Sequence, residues 1–425
     1  MAKTSPWLSF GTTTFTGTAI RDAMVTEEFN PLSITLPFGK LEVTLYSTEC
    51  SIIEPTGDFA LLQRRTPIVL YETVNGSNRF IGRFYLDDWE NISDTLIKFI
   101  CLDELGVLDS ITYRGGIWLT PITMGALIDA IFTELDMVYS LDPSLVAKEL
   151  TGWIPICSYR EALQQIAFAA GAYVLCARQE GYIKIGESYG VGATTKGIRS
   201  GVASTGQSRV WQKRWRQSQW EDIFPDIYIT ASEKGASQSL GLRGEVTGVE
   251  VHMHDIVAGT GSKVLFEGTL AIGTFEIRFG QPMHTLSVTG ATITESGANY
   301  AMLSVAVAGT VILSGLVYVD TVTKHGIYTS GLPEGTKQNV LVIEEATMVN
   351  SLNGVAIAQS VYDYYQERYV QKMKLYVPNA HIGRKCYVDT LYGRQIVGVA
   401  EKMTTDLARG FIAQTEIVGT VVEVT

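Results

Sequence analysis

A chain of 425 residues has room for several domains at roughly 100 to 200 residues each. Its formal net charge of −11, from 33 basic and 44 acidic residues, repels phosphate backbones and offers no gain from counterion release, so specific nucleic-acid binding is not expected. Hydrophobic residues make up 46% and charged residues only 18%, against about 25% in ordinary soluble domains, which points to wide protein interfaces.

Cys50, Cys101, Cys157, Cys176 and Cys386 are scattered, odd in number and never paired as C-x-x-C. They read as free, mostly buried thiols of a protein folded in a reducing cytoplasm. Residues Met1 to Trp7 lack the apolar core of a signal peptide, and no run approaches the roughly 18 residues of a membrane span. The expectation is synthesis in the cytoplasm without export by a signal peptide.

Residues 1–24 are rich in Thr, Ser and Gly around Trp7, Phe10 and Phe15, and read as an N-terminal arm that docks on something. Over 25–112 the pattern is of strands: Ser33 to Leu36 and Leu41 to Tyr46 alternate, Pro67 to Val74 and Arg79 to Asp87 flank the hairpin signal Asn75-Gly76, and Thr95 to Leu102 alternates again. Such spacing predicts a small β-barrel or sandwich, with Pro67 at a strand start where no ladder donor is needed.

The periodicity turns helical over 113–200. Leu127, Ile128, Ile131, Phe132 and Leu135 share one face of a helix predicted over Pro121 to Leu135. The stretch Gly152 to Gly186 then encodes a complete unit. Ser158 and Glu161 form a capping box; Ala162, Leu163, Ile166, Ala167 and Ala170 form an apolar stripe; and Gly171 is placed to end the helix. Ala172 to Ala177 and Tyr182 to Ile185 follow as a hairpin around Gln179-Glu180-Gly181. Nothing in this unit is reactive.

Within 201–345, the basic stretch Val210 to Trp220 interleaves Trp211, Trp215 and Trp220 with Lys and Arg. Such a pattern can stack on bases or glycans, but on an acidic chain a strand or linker with interface aromatics is preferred. Beyond it, Asp226 to Ala231, Gly248 to His254, Val264 to Leu270, Thr274 to Phe279, Thr285 to Thr289, Met302 to Ala308 and Val311 to Tyr318 predict an all-β domain. In 346–425, Val355 to Arg368 reads as a helix with Ile357, Val361, Tyr364 and Tyr365 inward. Lys372 to Val377, Lys385 to Thr390, Arg394 to Ala400 and Phe411 to Glu423 then supply a closing barrel with a turn at Tyr392-Gly393. The fold class is therefore mainly β with an α+β insert: small tube-like β-barrels, a helix-hairpin module and an all-β domain.

Candidate chemistry is sparse. His252 and His254 sit two apart, so a strand puts both rings on one face as a metal site could use, although solvent-facing strand histidines fit as well. The pairs Asp87-Asp88, with Glu90 nearby, and Glu344-Glu345 have the residue type of glycosidase carboxylates, but adjacent acids on a strand point to opposite faces. Cys157 and Cys176 lie in apolar segments that favour inert thiols, and no nucleophile elbow, Walker loop or His-Glu-x-x-His occurs. No catalytic, cofactor-binding or metal-binding residue is assigned.

Asn30 to Gly39 with Leu41 to Thr48, Leu62 to Tyr71, Ile81 to Trp89 and Tyr113 to Trp118 resemble the first barrel and following insert of phage baseplate-hub proteins. Ser158 to Gly171 with its hairpin resembles their helix-hairpin, and Ile396-Val-Gly398 with Asp406 to Ala413 and Gly419 resembles their closing barrel. This T-even-type central hub family also occurs in prophages and phage-tail-like bacteriocins. The resemblance implies a virion-tail homotrimer whose two barrels per subunit form a pseudo-sixfold ring. It would match a hexameric tail tube or distal tail protein above and a trimeric spike or tip protein below, with the tape-measure protein a further candidate neighbour. No catalytic residue and no cofactor come with it. The readings in other classes are a tail-tip cell-wall hydrolase, peptidase or glycosidase, and a carbohydrate-binding receptor module using Trp211, Trp215 and Trp220.

Overall fold

The computed structural model describes residues 5–10, 13–32, 35–46, 66–74, 77–178, 182–187, 215–217, 227–229, 238–376, 382–383, 385–389, 394–408 and 412–423. Strands dominate, and a 14-stranded sheet organises the chain. From one end it runs Trp215–Gln217, Ile227–Ile229, Lys385–Asp389, Arg394–Asp406, Ile20–Glu28, Lys40–Tyr46, Leu96–Leu102, Ser77–Ser93, Pro67–Val74, Ser5–Phe10 and Thr13–Phe15. On the other edge of Arg394–Asp406 lie Ile412–Glu423, then Tyr369–Tyr376 and Gln238–Leu242.

Alternation builds the first half of this sheet. Leu41, Val43 and Leu45 face inward on one strand, as do Ile97, Phe99 and Cys101 on its neighbour; with Leu8, Ile68, Leu70, Ile81 and Phe84 they form one core. A second core, around Met373, Cys386, Val388, Ile396, Met403, Ala413 and Ile417, lies under the C-terminal strands. The segment expected as an arm docks on its own chain, since Ser5–Phe10 pairs with Pro67–Val74 and Leu8 is fully buried.

The tube-like halves are fused among the described residues. Arg394–Asp406 outruns its partner Lys385–Asp389, and its C-terminal half pairs with the N-terminal strand, from Lys402 opposite Glu28 to Asp406 opposite Met24. A barrel would need that edge for its own closure; here it is spent on joining the first and last parts of the chain in one open ladder.

The α+β module follows the expected pattern with shifted boundaries. Its first helix is Met124–Leu135, capped by Thr123, because Pro121 lies within the strand Gly116–Thr123, which pairs with Glu149–Ile154 through Thr123. Tyr159–Ala169 forms with the capping box in place and every residue of the expected stripe buried. Gly171 follows at φ +63°, in the left-handed region. Ala172–Ala177 pairs with Tyr182–Glu187, to which Tyr139–Leu141 adds as a short parallel strand absent from the sequence reading.

Strands expected as separate pieces of the all-β domain are continuous. Gly248–Leu270 and Gly309–Tyr328 form a long antiparallel ribbon, interrupted by a bulge between Ala258 and Ser262. Its far end packs on a second sheet of Gly273–Arg278, Tyr300–Val305 and Thr292–Ser296 around Leu303, Val305, Val311 and Leu313. Ile227–Ile229, expected within this domain, belongs to the large sheet instead. Helix Gly354–Gln366 presents Ile357, Val361 and Tyr364 to the module. Thr35 and Leu36 lie outside any strand, whereas Asn75-Gly76, Gln179-Glu180-Gly181 and Tyr392-Gly393 lie outside the described residues. No helix among the described residues is long and apolar enough to cross a membrane.

Candidate functional site at the junction of sheet and module

Charged groups are buried where the large sheet meets the module. On strand Ile20–Glu28 the inward positions are Ala23, Val25 and then Glu27; on the module hairpin the phase of Val174 and Cys176 continues to Arg178. The strand period thus carries an acid and a base onto apolar faces, where they meet: Arg178 Nε donates to Glu27 Oε1 at 3.0 Å, with side chains only 8% and 6% exposed. Arg178 Nη1 also donates to the Ile81 carbonyl at 2.5 Å, and its stem lies over Gly82, where a Cβ would collide with it.

Asp103 and Glu104 complete the cluster. Asp103 caps the short helix Glu104–Leu108, accepting from Gly106 N at 2.9 Å and from Gly39 N at 2.6 Å. Burial pushes its carboxyl up to about 7, and the backbone donors offset part of that rise. Burial likewise raises Glu104, whose Oε2 accepts from the Cys176 thiol at 2.7 Å. Among the described residues Glu27 Oε2 and Glu104 Oε1 have no hydrogen-bond partner, and a cavity of about 10 Å³ beside Glu27, Asp103, Cys176 and Arg178 has room for a single water. The arrangement ties three parts of the chain together and contains no activated nucleophile.

A second junction lies on the module's other side, where 344–353 crosses it. Asn350 Nδ2 donates to the Thr151 carbonyl at 3.0 Å, Asn353 Nδ2 to the Ala169 carbonyl at 3.1 Å, and Gln165 Nε2 to the Glu345 carbonyl at 2.6 Å. Gly152, at φ +132°, lets Met348 pass so close that a Cβ there would stand 2.8 Å from the Thr347 carbonyl oxygen. Beside this crossing is an open cleft of about 520 Å³, walled by Leu36, Pro155, Ile156, Cys157, Arg160 and Gln165, with Glu161, Glu344 and Glu345 also lining it.

Of the candidates read from sequence, the structure brings His252, His254 and Glu344 close together, but not in the arrangement of a metal or catalytic site. His254 Nδ1 lies 2.7 Å from Asp320 Oδ2 and its Nε2 3.0 Å from the Glu344 carbonyl oxygen, while His252 Nε2 is 3.3 Å from Glu250 Oε1. The two imidazoles thus spend their nitrogens on separate partners, and no group of three or more His, Cys, Asp or Glu among the described residues converges as a metal requires. Asp88 accepts from the Trp89 amide and is exposed, as is Glu90, on the strand Ser77–Ser93. Glu344 and Glu345 lie past the end of Val340–Ile343, in the cleft. Burial pushes the Cys157 thiol up to about 12 and Cys176 well above its ordinary value, so neither is a thiolate near neutral pH. Trp215 opens the strand Trp215–Gln217, whereas Trp211 and Trp220 lie outside the described residues.

The junction carboxylates were missed in the sequence, although two signals for them are present: a charged residue in the buried phase of a strand (Glu27), and an Asp before an apolar turn (Asp103 ahead of Glu104–Leu108).

No protein-family model matches the sequence, nor does any curated protein. Solved structures do match the fold. A 43 kDa tail protein of prophage MuSo2 from Shewanella oneidensis superposes with a TM-score of 0.51 at 12% identity, covering 98% of both chains. A tail protein from Neisseria meningitidis MC58 does so with a TM-score of 0.50 at 9% identity, covering 98% of this chain and 96% of the other. At such identities the likeness is one of fold, and the chain has, along nearly its whole length, the fold of these tail proteins.

Proposed function

We propose that this chain is a structural component of a phage or phage-like tail tip, a hub whose homotrimer forms a ring around part of the central channel. The carrying observation is the fused sheet. Each chain sets two β lobes side by side, one from residues 5–102 and one mainly from 369–423, locked by the pairing of Lys402–Asp406 with Met24–Glu28. Three such chains present six lobes, which is the symmetry needed to adapt a hexameric tube above to a trimeric spike below. The likeness in fold to prophage tail proteins over 98% of the chain supports the same reading. So does the chemistry of the junctions, whose perturbed acids and thiols are buried and engaged in holding segments together. The role is non-enzymatic, located in the virion tail, with a tube or distal tail protein and a spike or tip protein as neighbours.

Image reconstruction of the isolated tail tip tests this. Three copies in one ring between tube and spike are expected; a copy number matching neither partner, or a peripheral location, overturns it. Zymography on cell walls checks the non-enzymatic part, where a cleared zone from the purified chain contradicts it.

A further inference from the structure

The cleft between the Tyr159–Ala169 helix and the 344–347 crossing has the chemistry of a docking groove for a basic segment. Its floor and walls include Leu36, Pro155, Ile156 and Thr347. The one cation lining it among the described residues is already spent: Arg160 donates through Nε to Asp109 Oδ1 at 2.9 Å and through Nη1 to the Leu36 carbonyl, and stacks over Phe38. Three lining carboxylates then remain without a cationic partner within 4 Å among the described residues, apart from His252 Nε2 at 3.9 Å from Glu344: Glu161, Glu344 and Glu345. Gln165 is fixed at Nε2 by the Glu345 carbonyl, which holds the wall in place; its Oε1 is buried and has no hydrogen-bond partner among the described residues.

We infer that this cleft binds a short segment of a neighbouring protein in which Arg or Lys alternates with apolar residues. Apolar side chains fill the space beside Leu36, Pro155 and Ile156, and the cations meet Glu344 and Glu345. Charge selects the occupant: a second copy of this chain brings a net −11 toward an acidic rim, whereas a basic segment removes that repulsion. The inference rests on the assembly reading only in requiring a protein neighbour, and its test is read on the isolated full chain, independently of copy number.

The probe is the peptide acetyl-Leu-Arg-Leu-Lys-Leu-amide, titrated against the full chain by saturation-transfer NMR. Saturable binding is expected, weakening severalfold as salt rises from about 50 to about 500 mM. Binding should fall by about tenfold in the Glu344→Gln/Glu345→Gln double variant, both positions being exposed, so that folding is unaffected. Ile156→Trp, which fills the groove, should abolish it, and acetyl-Leu-Glu-Leu-Glu-Leu-amide should not bind. Unchanged binding in the double variant, equal binding of the acidic peptide, or no binding of the basic one overturns the inference. A change of copy number in the double variant without peptide binding assigns the cleft to a second copy and overturns it too.

Discussion

The α+β module and the far end of the β ribbon are held in different ways. Module residues such as Leu163, Ile166 and Phe168 share one core with Leu105 and Leu108, with Val249, Val251 and Met253 at the root of the ribbon, and with Ile357 and Val361 of the C-terminal helix. The far sandwich has a small core of its own, Phe279, Met283, Ala301, Leu303, Val305, Val311 and Leu313, and meets the module through Arg114, which pairs with Glu276 and Glu295 and stacks on Tyr300. A core contributed by segments far apart in sequence unfolds as one unit with all of them. A core closed within one continuous stretch of chain can open alone.

Breaking the module's link to the large sheet has the largest expected effect. Arg178→Ala leaves the Glu27 carboxylate buried without its partner and should cost about 3–5 kcal/mol, seen as a large drop in the denaturation midpoint. Replacing both residues by apolar ones of similar volume should recover much of that loss; failure to recover would mean the pair does more than satisfy itself. Next, Leu163→Ala should cost about 2–5 kcal/mol and lower one global transition, whereas Leu303→Ala, of similar local cost, should produce an early, separate transition of the sandwich.

The pH dependence sharpens the same contrast, because the raised carboxyl lies at the module junction. Asp103 titrates near 7 in the fold and about 4 unfolded, so the folded chain holds an extra proton between those values. The stability it contributes is complete below about pH 4 and is lost as pH rises through about 7. Asp103→Asn should flatten that part of the profile; an unchanged slope would remove Asp103 as its source. Ser158→Ala, losing the helix cap, should cost about 1 kcal/mol by thermal melt. The smallest effect on the rest of the chain is expected from joining Ile256 to Asp320, which face each other in the ribbon, through Asn-Gly. The remaining chain should melt nearly as before, and a collapse of its transition would make the sandwich part of the common core.

Local rules made the module legible: capping box, stripe and hairpin each depend on residues within a few positions, and each formed. Strand identity in the large sheet was equally plain from alternation, but pairing partners were not. Nothing near Lys402 in sequence points to Glu28, since the ladder between them joins positions 374 apart. The strand Gly248–Leu270 reads as two pieces because Gly259 and Gly261 interrupt its β-prone run, whereas in the structure they lie in a bulge within one strand. The cleft was illegible for the same reason as the sheet seam: Gln165 and Glu345, 180 positions apart, meet only after the chain has crossed the module.

The central claim is the ring. Light scattering of the purified full chain should give a mass three times 46.6 kDa, or that mass plus the bound partner's once a tube or spike protein is added. A stable dimer or tetramer, or a monomer that stays monomeric in the presence of both partners, would contradict it.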